Sequence, residues 1–87
     1  MKRNDVLKKA KTIINGARAK EYGDAYENHE HIAKMWSVLL NTEVTAHQVY
    51  QCMVAVKLAR LMVTPRHEDS WVDICGYGAL GGEETRD

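Results

Sequence analysis

The sequence predicts an all-α fold: a compact, four-helix bundle-like domain that assembles with copies of itself. Three observations predict it. Apolar residues recur three and four apart in four separate stretches, the period of a helix and not of a strand. Turn and cap residues fall between those stretches, at Tyr22-Gly23-Asp24, Asn41-Thr42 and Thr64-Pro65. The 87 residues, 45% of them hydrophobic, suffice for one domain over residues 1–87 with its core between about 4 and 82 and a polar tail at 83–87. The core is thin, because a chain this short buries only about 60% of its unfolded surface.

The first helix is expected from about Asp5 to Lys20, with Leu7, Ala10, Ile14 and Ala17 on one face, Asn4 or Asp5 as its cap, and Gly16 as a weak point. After the turn at 21–24, the second helix covers roughly Tyr26 to Leu40, with Ile32, Met35, Trp36 and Leu39 as its apolar face. Thr45, followed three residues later by Gln48, reads as a capping box that opens the third helix. Thr64-Pro65 stops that helix, since a proline disfavours helical backbone in the residue before it. Ser70 or Asp69 caps the fourth helix, which is expected to reach Leu80 and end at Gly81-Gly82. Gly76 and Gly78 inside it each cost about 1 kcal/mol relative to Ala, so a close approach of a helix or ligand is their expected reason.

The third helix is the most informative. Between Val49 and Val63 only Gln51, Lys57 and Arg60 are strongly polar. A helix apolar nearly all round needs cover on most sides, which this small chain supplies poorly, so a homo-oligomer is expected. Lys57 and Arg60 share a side with Tyr50, Met53 and Thr64, and their heads can converge. Two cations on such a helix need partners. Either they make ion pairs with the acidic C-terminal block, or they face a bound phosphate.

Charge is balanced overall, twelve basic residues against twelve acidic, but it is segregated. Residues 1–20 and 32–66 are basic; residues 21–31 and 67–87 are acidic. The blocks are expected to meet inside the fold or across subunits. With no net positive charge and no aromatic residues among the basic ones, nucleic acid is not the expected partner. No apolar run is long enough to span a bilayer, and no leader is read at the start, so a cytoplasmic protein is expected. Cys52 and Cys75 stand far apart in the sequence and outside any CxxC motif, and are expected as buried reduced thiols.

Asp69 and Asp73 lie one turn apart, and Tyr77 continues their row. Paired carboxylates at this spacing suit Mg²⁺, which is commonly bound by one or two carboxylates plus substrate phosphates; they equally suit the first turn of a helix, where acids oppose the dipole. Glu27 and Glu30 form an ExxE, but on the side of the second helix facing away from Ile32 and Trp36, which is expected to be solvated. Asn28 and His29 flank the apolar stripe. The four histidines match no zinc motif.

The stretches YGDAYENHEHIAKMW, MVAVKLARL and HEDSWVDICGYGAL resemble a small domain family of phages and prophages, across about residues 18–82. That family is in turn similar to the all-α, MazG-like NTP pyrophosphohydrolases and to phage nucleotide-modification-associated domains. The resemblance implies an oligomeric helical bundle in the host cytoplasm that binds a nucleotide through Mg²⁺. By position it implies phosphate or nucleotide contacts at Lys57, Arg60, Asn28, Tyr22 and Tyr77, with Gly23 in the turn. Asp69 and Asp73 would hold the metal, and Asp73 and Glu30 would serve catalysis. The sequence departs from the MazG pattern: Asp69 and Asp73 are four apart, where that pattern has three, and a whole helix separates them from Glu27 and Glu30. Two functions therefore stand: a Mg²⁺-dependent (d)NTP pyrophosphohydrolase, or a non-catalytic accessory or anti-defence protein that sequesters a nucleotide-derived signal.

Overall fold

The computed structural model describes residues 1–16 and 25–83, and within them every regular element is a helix. They are α1 (Arg3–Asn15), α2 (Ala25–Leu40), α3 (Ala46–Val63) and α4 (Glu68–Glu83). The expected turn at 21–24, with Tyr22 and Gly23, and the expected end of the first helix at Lys20 lie outside the described residues.

α4 is the central element. It packs most extensively against α3 on one side and against α1 on the other, while α2 packs against α3. The four described helices thus pack together with α4 between α1 and α3.

Local chemistry sets the ends of these helices. Thr45 caps α3 as expected: its Oγ1 accepts from Gln48 N–H at 3.2 Å, and Gln48 Oε1 accepts from Thr45 N–H at 2.9 Å. Asn41 turns the chain out of α2 with a left-handed φ of 52°, a conformation that asparagine tolerates better than most residues. Ser37 then ties the end of α2 to the approach to α3, accepting from Val44 N–H at 2.9 Å.

Three expected boundaries are corrected. α1 starts earlier, at Arg3, because Asp5 is not the cap: its carboxylate reaches back to accept Lys2 N–H at 3.1 Å. α4 starts at Glu68, so Ser70 and Asp69 lie inside its first turn. The capping role falls to His67, whose Nδ1 accepts from Ser70 N–H at 3.2 Å and lies 2.7 Å from Ser70 Oγ. α4 also runs through Gly81 and Gly82 to Glu83. The reason is packing, since Gly81 lies against the Tyr50 ring, and a Cβ there would stand 3.3 Å from Tyr50 Cβ. Gly76 has the close approach expected of it, to Ile14 Cγ2 of α1, whereas Gly78 faces open space.

The core is small residues more than large ones. Ala10, Ala33, Ala46, Val49, Tyr50, Leu61 and Val72 are its apolar members, with His29 and Ser70 buried among them. On α2 the inward row is Ala25, His29, Ala33 and Ser37, four apart, and not the expected stripe. Ile32 and Trp36 are half-buried, and Met35 and Leu39 are 60% and 74% exposed. The small row lets α3 come close; the larger side chains cannot follow it in. Leu7 of α1 is likewise exposed. Cys52 is exposed and Cys75 half-buried, so neither is the buried thiol expected, although both are unpaired.

Candidate functional site: an ion pair beside an aromatic stack

The row Asp69, Asp73, Tyr77 on α4 crosses the molecule and meets a different helix at each step. Asp69 Oδ1 pairs with Lys9 Nζ of α1 at 3.3 Å. Asp73 Oδ2 pairs with Lys57 Nζ of α3 at 3.1 Å. Tyr77 sets its ring edge-on to His29 of α2, with centroids 6.2 Å apart. The segregated charge blocks do meet inside the fold, basic α1 and α3 against acidic α4.

The two ion pairs differ in environment. Lys9–Asp69 is well exposed, at 44% and 67%, and such pairs contribute about 0–1 kcal/mol. Lys57–Asp73 is drawn in, at 18% and 33%, where a charge deprived of its partner is costly. α3 and α4 run antiparallel, joined by a turn at 64–67. The pairing of Lys57 with Asp73 and the contact of Tyr50 with Gly81 keep one register along them.

One end of this register is aromatic. His29 is 7% exposed and stacks on Tyr50 of α3, with ring centroids 4.1 Å apart and planes 24° apart. Its Nδ1 lies 2.7 Å from the Ala25 carbonyl oxygen, so Nδ1 carries the proton and donates. His29, Tyr50 and Tyr77 thus lock α2, α3 and α4 at one junction. Sequence reasoning placed His29 only on a flank. The signal that would have found it is the small-residue row Ala25, His29, Ala33, Ser37, in which the ring is the one large group.

The remaining predicted residues stand apart from the ion pair in degree. Arg60, one turn after Lys57, is exposed and makes no ion pair among the described residues, so it leaves this group with a net positive charge. Glu27 and Glu30 are exposed on α2, as expected of their side; Asn28, expected on the flank of the apolar stripe, is exposed as well. Tyr77 is half-buried. Tyr22 is not among the described residues. No three His, Cys, Asp or Glu side chains among the described residues gather to hold a metal ion, and no helix among them is long and apolar enough to cross a membrane.

The family model for DUF6378, a domain of unknown function, matches residues 5–85. The chain belongs to the DUF6378 family. This DUF6378 chain is 45% identical over 76 residues to the Gene 55 protein of Mycobacterium phage L5, covering 86% of this chain and 49% of that protein. It is 38% identical over 72 residues to the Gene 55 protein of Mycobacterium phage D29, covering 83% and 48%. The DUF6378 chain thus spans about half the length of these relatives. Both are phage proteins, in keeping with the resemblance to small phage domains. No solved structure matches the chain.

Proposed function

We propose that this domain binds a phosphorylated nucleotide, with phosphate oxygens on Lys57 and Arg60 and the base edge near Tyr77 and Asn28. The observation that carries the reading is Arg60, exposed and without an ion pair among the described residues, one turn from Lys57; Lys57 itself makes the ion pair that the structural alternative expects, 3.1 Å to Asp73. An incoming phosphate has an ammonium and a guanidinium to bind, and both strengthen as water leaves. The Mg²⁺ that accompanies nucleotides is held by one or two carboxylates together with the phosphates themselves; Asp73 would become such a ligand once a phosphate draws Lys57 away from it, while Asp69 pairs with Lys9 of α1. When bound, the metal would neutralise phosphate charge; Lys57 would then exchange Asp73 for a phosphate oxygen, and Arg60 would orient the chain.

Hydrolysis to a monophosphate and pyrophosphate is the chemistry that the MazG-like resemblance adds, with Asp73 and Glu30 as the acids. A sequestering phage accessory or anti-defence protein is the second reading. It is favoured by one observation: Asp69 and Asp73 already have lysines as counter-ions, so neither carboxylate stands open to the metal that turnover would need.

The test incubates the protein with each NTP and dNTP and Mg²⁺, then separates the products by chromatography. A hydrolase releases a monophosphate and pyrophosphate and stops when EDTA is added, and Asp73→Asn loses turnover while keeping its helicity. A sequestering protein gives its nucleotide back intact after heat denaturation. Absence of both turnover and retained nucleotide across the panel, with cyclic and dinucleotide ligands included, removes the nucleotide reading altogether.

A further inference from the structure

We infer that the outer face of α3 is the contact between two copies of this chain. Cys52, Ala55, Val56, Ala59, Met62 and Val63 recur at spacings of three and four and are all exposed. Met62 and Val63 are 86% and 85% exposed and Val56 is 53% exposed. These six positions form one continuous apolar stripe, the pattern of a helix–helix seam. Lys57, the nearest lysine, points the other way, to Asp73.

Two further features make a second copy the occupant. The first is extent. The stripe runs from Cys52 to Val63, about three turns and ~16 Å of helix, long enough for one helix to cross its own copy. The second is self-complementarity. A two-fold contact places the same patch on both sides, so any charge in it meets its own kind. This stripe carries none. Ala55 and Ala59, one turn apart at its centre, allow two helices to cross closely, with the larger Val56, Met62 and Val63 filling the flanks. Arg60, four residues after Val56 and three before Val63, falls on the rim of the seam. Its aliphatic stem can cover the joint while its guanidinium stays in water.

Light scattering and sedimentation equilibrium at micromolar concentration test this. Wild type is expected to show twice the 9.9 kDa chain mass. Ala59→Glu and Met62→Glu, both on an exposed helix face, are each expected to halve the mass with helical circular dichroism retained. Both should also speed maleimide labelling of Cys52, the thiol at the end of the stripe. Val38→Glu, on the exposed side of α2, is expected to leave the dimer intact. A wild-type monomer overturns the inference, and so does a dimer that survives both α3 variants, or one that Val38→Glu alone disrupts.

Discussion

At the scale of single residues, Lys57 and Asp73 are the groups whose removal is felt twice, in the fold and in binding. The pair is neither exposed enough to be negligible nor buried enough to exclude water. Lys57→Ala leaves the Asp73 carboxylate half-buried with no counter-ion, at an expected cost of about 1–3 kcal/mol. Lys57→Ala combined with Asp73→Ala removes both charges, and should restore part of that loss. Urea denaturation of the two single variants and the double variant gives the coupling directly. Equal and additive losses would show that the two side chains do not support each other. The exposed Lys9–Asp69 pair serves as the comparison: Lys9→Ala should change stability by less than about 1 kcal/mol. This contrast also explains why the sequence left two roles open for Lys57. Its spacing from Arg60 allows the heads to converge, but only the docking of α4 decides which carboxylate meets it.

At the scale of the helices, the glycines of α4 make opposite predictions. Gly78 faces open space, so Gly78→Ala should stabilise the protein by up to about 1 kcal/mol, through helix propensity and a less mobile unfolded chain. Gly81 has the Tyr50 ring within 3.3–3.6 Å of where a Cβ would sit. Gly81→Ala should therefore destabilise despite the same gain in propensity, because Tyr50 is held by His29 and cannot retreat. Thermal melts of the two variants, read against wild type, separate them by sign. Thr45→Ala, which removes the α3 cap, should cost about 1 kcal/mol.

Among the described residues, the four helices, the Thr45–Gln48 box and the stops at Asn41 and Thr64-Pro65 were legible in the sequence, because they depend on chemistry within four residues. The inward faces were not. Periodicity marks where an apolar stripe runs, and bulky residues dominate that reading. In α2 the neighbour is so close that Ala25, Ala33 and Ser37 face it, and Met35 and Leu39 are turned outward. Helix ends failed for a related reason. His67 caps α4 through its ring nitrogen, a role that capping preferences assign to Ser, Thr, Asp or Asn. Gly81-Gly82 continues the helix because a tyrosine on α3 needs the room. In the candidate site, the row Asp69, Asp73, Tyr77 was legible as a row. That each member meets a different helix was not, since this follows from the order α1, α4, α3, α2 in space.

At the scale of the whole molecule, a thin core and a bare stripe on α3 belong together. A chain that buries few large side chains within itself leaves them for a second surface, and the same α3 carries Lys57 on another side and Arg60 at the rim of the stripe. The account's central claim is that those cations bind phosphate. Arg60→Ala tests it most directly, because Arg60 is exposed and holds no ion pair among the described residues, so its loss should leave the fold intact. Isothermal titration of wild type and Arg60→Ala with the nucleotide that the product assay selects, in Mg²⁺ buffer, is the measurement. The account predicts saturable binding by wild type, weakened in the variant by roughly 1.5–3 kcal/mol, the scale of hydrogen bonds to charged groups, with unchanged circular dichroism. Equal affinity in the two proteins, or no heat of binding in wild type, would contradict it.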